Sequence, residues 1–242
     1  MLLNLGQGVA WDNYLGRGVR RNHPEDYPEY VKGCDIASFD IYPASHEHKD
    51  IAGKLWYVGD GVSRLRQWAS DRQAVWNCIA CTHISNPGAR ATPAQVKAEV
   101  WMSLVRGSRG LIYFVHQLKP KFLEAGVLAD GDMVAQIKAI NRQIHELAPV
   151  LNGPALAKAV VVESSEPAVP VEATVRRHGG ATYVFAVAMR NGKTTGTFRV
   201  AGLAGKATAR VLGEGRRIAV QGGAFHDTFQ PWDVHLYQIV PR

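Results

Sequence analysis

The sequence is short of cysteine, of long apolar runs and of clustered charge, and each shortage removes a class of protein. Three cysteines among 242 residues, Cys34, Cys78 and Cys81, cannot form the disulfide framework of a small secreted scaffold. Cys78 and Cys81 make a C-x-x-C, but both fall in an apolar run that reads as a strand, where positions three apart point to opposite faces. Redox pairs sit at a helix N-terminus, and no second cysteine pair or H-x₃₋₅-H completes a zinc site. We read reduced, mostly buried thiols, no metal and no cofactor. No stretch approaches the ~20 apolar residues of a membrane span, so no membrane partner is expected. The start, MLLNLGQGVAWD, has no basic region, a very short apolar run and no small-residue cleavage site. That reads as a cytoplasmic chain as given, or one cut from a longer, possibly exported precursor. The formal charge of +7 is scattered: GRGVRR and GEGRR are the densest clusters. A nucleic-acid binder would show a basic stripe interleaved with stacking aromatics, and none is expected as a partner.

What is present is ordinary globular composition, 46% hydrophobic and 20% charged. Residues 1–150 alternate apolar runs with helical periods. Strands are predicted at 2–5, 34–42, 74–81 and 110–116. A short helix is predicted over 24–33. A second has Val58, Val62, Leu65 and Ala69 on one face. A third is capped by Thr92, with Pro93 in its first turn and Val96, Val100, Trp101, Leu104 and Val105 as its apolar face. A fourth carries Val134, Ile137, Ile140, Ile144 and Leu147. Near-continuous apolar strands suit a parallel sheet with both faces covered, and strand–loop–helix repeated four times is the βα signature.

After APVLNGP the texture changes. Alternating runs at 157–164, 171–177, 181–190, 196–202, 207–213, 216–222 and 233–240 are separated by glycine-rich turns such as RHGGA and RNGKT. This pattern predicts an antiparallel β-sandwich over 151–242, a second domain after the α/β domain of 1–150.

Several motifs together, DIASFDIYP, AVWNCIACTHI, ATPAQVKAEVWMSLVRGSRGLIYFVHQ and the ending FQPWDVHLYQIV, resemble the (βα)₈-barrel retaining glycoside hydrolases of the large clan. The likeness is to uncharacterised β-galactosidase-like members with a C-terminal β-sandwich. In that layout the four strands are the fifth to eighth of a TIM-type barrel, so 1–150 is half a (βα)₈ barrel. The resemblance implies β-linked carbohydrate as the ligand. It also implies a general acid/base Glu after the fourth strand, a position that precedes these residues, and a nucleophile Glu at the end of the seventh. The matching place is Ala80, and NCIAC holds no carboxylate. Retaining glycosidases need two carboxyl groups ~5–5.5 Å apart, and a methyl cannot attack. The expected protein is therefore a glycoside hydrolase impaired at Ala80. The alternatives are a non-catalytic sugar-binding or scaffold homologue, and a hydrolase using another residue of the same pocket. Four strands cannot close a barrel, so a homodimer of half-barrels, or a partner chain supplying the missing strands, is expected.

Barrel enzymes carry chemistry on loops after the C-terminal ends of strands. Those loops here bring Gln7, Trp11 and Asp12, then Asp40, Tyr42, His46 and His48, then Ala80, Thr82 and His83, and finally His116 and Gln117. Asp40 is the best remaining carboxylate, as a surrogate acid or a sugar-hydroxyl ligand. Gln7, Trp11, Asp12, Tyr42, Asn77, His83 and His116 are the expected sugar contacts, Trp11 as a stacking platform. The H-x-H of His46 and His48 is a weak metal signal. Cys81 with His83, sharing one strand face, is a weak thiol–base pair.

Overall fold

The computed structural model describes residues 1–17 and 19–241. The chain divides into two compact units, Met1–Gln136 and Ile137–Arg242.

The first unit is built on a parallel sheet in sequence order: β1 (Leu2–Leu5), β2 (Ile36–Asp40), β3 (Ala74–Ala80) and β4 (Gly110–Phe114). Between them lie α1 (Tyr27–Val31), α2 (Tyr57–Trp68) and α3 (Pro93–Val105). The register Leu5↔Phe39↔Asn77↔Leu111 defines one face, and Asn4↔Ser38↔Trp76↔Gly110 the other. Both large helices lie on the first face. Phe39 packs against Gly61 of α2, where an added Cβ would collide with its ring, and Asn77 donates to Ser103 of α3. On the second face Trp76 lies over Gly110, the only residue type its indole leaves room for there. Thr92 caps α3 as its sequence predicts, in a reciprocal capping box with Gln95.

The two faces end up unlike. Phe39, Asn77 and Ile79 are buried, whereas Leu2 is 43% exposed and Ile36, Trp76, Ile112 and Phe114 are half-buried. The near-continuous apolar runs suggest a sheet covered on both sides, but helices cover one side only.

A last helix, α4 (Gly131–Leu151), runs two residues past Pro149 before stopping, and the division between the units falls within it. Beyond it lie eight strands: β5 (Val160–Ser164), β6 (Val171–His178), β7 (Ala181–Ala188), β8 (Thr194–Val200), β9 (Lys206–Val211), β10 (Arg217–Gln221), β11 (Ala224–Phe229) and β12 (Val234–Pro241). Where the sequence reads as two packed sheets, these form one continuous antiparallel sheet in the order β5-β8-β11-β10-β9-β12-β7-β6. It is pinched at the β10–β11 hairpin, where Gln221↔Ala224 is the single pair. The end strands β5 and β6 also touch, bringing the sheet close to a barrel. Phe198 and Phe225 stack at 4.6 Å and meet Tyr237, from the far part of the sheet, at 5.5 and 5.0 Å. The Gly179-Gly180 and Gly222-Gly223 pairs, all at positive φ, close the tight hairpins that join β6 to β7 and β10 to β11.

Candidate functional site

The C-terminal ends of the parallel strands border a cavity of about 640 Å³. Asn4 and Asp40 line it from adjacent strands, joined by Gln7, Arg17, Tyr42, His46 and Phe114. The alternation of β1 and β2 puts Ser38, Asn4 and Asp40 on the face away from the helices, and they form a hydrogen-bonded relay. Ser38 Oγ donates to Asn4 Oδ1 at 3.0 Å, and Asn4 Nδ2 donates to Asp40 Oδ1 at 2.8 Å. Burial pushes the Asp40 carboxyl above its ordinary pKa, with the Asn4 bond and the nearby Arg17 charge pulling the other way. The result is a carboxyl disposed to hold a proton, the property a general acid needs.

Tyr42 stands one residue past the start of the loop after Asp40. Its ring lies 5.4 Å from that of Phe114, and burial raises its phenol pKa, with the Asp40 charge adding to the effect. Gln7 is held against the second loop by His46, Nε2 to Oε1 at 3.1 Å. The Nδ1 of His46 accepts from the His48 amide at 3.0 Å, so Nε2 carries the hydrogen and donates to Gln7. Burial, and then the neighbouring His48, lower the His46 pKa and keep the ring neutral. Both ring nitrogens of His46 are thus engaged.

Ala80 ends β3, in register with Phe114 and fully buried. Phe114 is its partner on β4, and the Tyr42 ring meets that of Phe114. No carboxylate stands in its place.

Of the expected sugar contacts, Gln7 and Tyr42 border the cavity with Asp40, and the others do not. Asn77 lies on the opposite face. Its side chain donates to Ser103 Oγ at 2.8 Å and accepts from Ser108 Oγ at 2.9 Å, a buried link between β3 and α3. A strand's alternation is visible in sequence, but which set faces the helices is not, and Asn77 falls in the helix-facing set. Trp11 packs on His48 with ring centres 4.8 Å apart. Asp12 is exposed and paired with Arg64 at 2.5 Å. His83 turns Nδ1 to the carbonyls of Ala89 and Asn86, at 3.0 and 3.3 Å, tying its own loop together. His116 accepts from the Ala125 amide at 3.1 Å and packs beside Phe122. The Cys81–His83 pair does not form. The Cys81 thiol is buried, and burial, then the nearby Glu99, push its pKa up to about 12, which leaves no thiolate to attack.

Among the lining residues that escape sequence reasoning are Asn4, Tyr14, Arg17 and Tyr27. Asn4 had a signal, a lone amide inside the apolar run LLNL. The other three lie in or beside a long polar loop whose path no periodicity foretells.

No family model matches this sequence, and no curated protein does. Solved structures do. The maltogenic α-amylase AmyB from Thermotoga neapolitana is 10% identical with a TM-score of 0.57, over 89% of this chain and 53% of that one. An AmyP variant in complex with maltotriose is 10% identical with a TM-score of 0.55, over 100% and 56%. A catalytic mutant of Gan42B, a GH42 β-galactosidase from G. stearothermophilus, is 10% identical with a TM-score of 0.51, over 88% and 60%. The chain thus spans little more than half the length of each. At this identity the likeness speaks for architecture alone: the chain has a glycoside-hydrolase-like fold.

Proposed function

We propose that this chain is the rear half of a (βα)₈ barrel, residues 1–150, followed by an antiparallel β domain over 151–242 whose one sheet folds over on itself in place of a sandwich of two, and that its cavity takes carbohydrate. Asp40, Tyr42 and Gln7 are the sugar contacts, with Asn4 and Arg17 beside them. The observation that carries this reading is the relay ending on Asp40, a raised-pKa carboxyl in a polar and aromatic cavity at the C-terminal ends of parallel strands. That is where barrel enzymes work, and planar amides with aromatic rings are what sugar hydroxyls and ring faces prefer. The neighbours include an AmyP variant holding maltotriose and a GH42 β-galactosidase mutant. Ala80 stands where the sequence resemblance expects the attacking carboxylate. Binding without efficient turnover of β-linked sugars follows, since Asp40 can protonate a leaving oxygen but nothing attacks the anomeric carbon.

Titration calorimetry with β-linked oligosaccharides tests binding: heat with the native chain, and about a tenfold loss in Asp40→Ala, is expected where a buried hydrogen-bonding partner is removed. Nitrophenyl glycosides test catalysis. Ala80→Glu is expected to gain turnover on at least one of them. A folded variant inert on the whole panel, with binding intact, favours a sugar-binding homologue over a disabled enzyme.

The same reading calls for more strands. β1 and β4 are edges, and the half-buried Trp76, Ile112 and Phe114 lie on the face a barrel would enclose. We infer closure by a second copy or by another polypeptide segment. Light scattering of the 26.5 kDa chain is expected to give twice that mass. A monomer would remove the self-completed barrel.

A further inference from the structure

The second unit holds a groove of its own, about 350 Å³, between the outer side of its sheet and α4. Three cross-strand neighbours form its floor. Tyr183 of β7 faces Gln238 of β12, and Gln238 faces Arg210 of β9, one register row across three strands. Gln238 Nε2 donates to the Tyr183 hydroxyl at 2.8 Å, which fixes the amide and leaves the phenol hydrogen to donate elsewhere. Arg142 and Glu146 rise from α4 on the other wall.

The two arginines are uncommitted: among the described residues, neither guanidinium has an ion pair or hydrogen bond. The contrast lies in the same unit. Arg216 is spent on Glu214 and Asp227, at 2.7 and 2.8 Å. We propose that the Arg142–Arg210 groove is a second binding site, separate from the cavity of the parallel unit, for a carboxylated saccharide such as a hexuronate oligomer. Two forked guanidinium groups match a carboxylate in a way no neutral sugar exploits. The Tyr183 ring and the Gln238 amide suit the apolar face and the hydroxyls of a pyranose. Glu146 accepts from a sugar hydroxyl and repels a bare anion, which sets a sugar acid apart from inorganic phosphate.

The test is calorimetry of the full chain with a galacturonate trimer, the uncharged galactose trimer and inorganic phosphate. The galacturonate trimer is expected to bind, with affinity falling about tenfold in Arg210→Gln and again in Arg142→Gln, one lost charged hydrogen bond each. Asp40→Asn, in the other cavity, is expected to leave that binding unchanged. Equal affinity for the uncharged trimer, or phosphate binding that responds to the same two variants, would overturn the proposal. So would no binding by the folded native chain, or a loss in Asp40→Asn without one in the arginine variants. Because Arg142 and Arg210 come from a helix and a strand, failure of one variant to fold leaves the other to decide.

Discussion

The two units of this chain handle the same problem, an apolar sheet in water, in opposite ways. The antiparallel unit curls its sheet over a core from which Phe198, Phe229, Tyr237 and Ile239 have no exposed surface, and its end strands come into contact. The parallel unit buries one face beneath α2 and α3 and leaves the other to Leu2, Trp76, Ile112 and a polar relay. The difference teaches where function can be kept. A face that is not consumed by packing can carry Asn4, Asp40 and Tyr42 at a smaller desolvation cost than a closed core would impose. In the closed unit Arg216 is locked to Glu214 and Asp227, whereas Arg210, among the described residues, is left uncommitted.

The comparison can be tested by truncating a ring on each side. Phe198→Ala is expected to cost about 3–5 kcal/mol, the range for a fully buried aromatic, seen as a fall in the thermal midpoint. Trp76→Ala, on the open face, is expected to cost less than half as much despite the larger ring. Equal losses would mean that the open face is covered in solution. Next in size, Gly61→Ala is expected to destabilise by about 1–3 kcal/mol although alanine favours helix, because its methyl meets the Phe39 ring. A neutral result would show that α2 slides freely on the sheet.

Acid and alkali give smaller effects of opposite sign. In the antiparallel unit burial tends to raise the pKa of Asp227, but hydrogen bonds from Arg216 and Tyr237 outweigh it and hold the carboxyl below its ordinary value. A depressed folded pKa stabilises above the unfolded value, and that stabilisation is lost as pH falls through the folded one. In the parallel unit Glu99 is fully buried on α3. Burial holds its carboxyl well above the ordinary range, against the opposing pull of the Ala44 amide. Here the stabilisation is complete below the ordinary carboxylate pKa and is lost as pH rises toward the raised value. Melting temperature against pH is expected to show Asp227→Asn flattening the acid side and Glu99→Gln the alkaline side. A Glu99→Gln profile parallel to the native one would mean that the carboxyl is not buried in solution.

Much of the parallel unit is legible in its residues. LLNL, the Thr92–Pro93 start and the three-and-four spacing of Val96, Val100 and Leu104 each answer to a local rule of strand or helix. So do the glycine pairs, because a positive φ is a local demand. β11 escapes this reading since its core-facing Phe225 and Phe229 are separated by His226, Asp227 and Thr228, which look like loop. Glu99 escapes it too, as a carboxyl three residues after Val96 on a face that periodicity assigns to the core.

The candidate site divides the same way. That polar and aromatic residues crowd the strand ends is written in the chain, and so is the absence of any carboxylate from NCIAC. Period-two alternation, capping and turn chemistry act between near neighbours, so the sequence by itself determined most of the elements, their order and the change from parallel to antiparallel pairing. Only tertiary structure decided that Asp40 joins Asn4, that Asn77 turns to α3, that Tyr183, Gln238 and Arg210 share a row, and that one face of the parallel sheet stays partly bare. Those outcomes depend on which face of each strand meets a helix and which strands become neighbours, and contacts between residues distant in sequence set both.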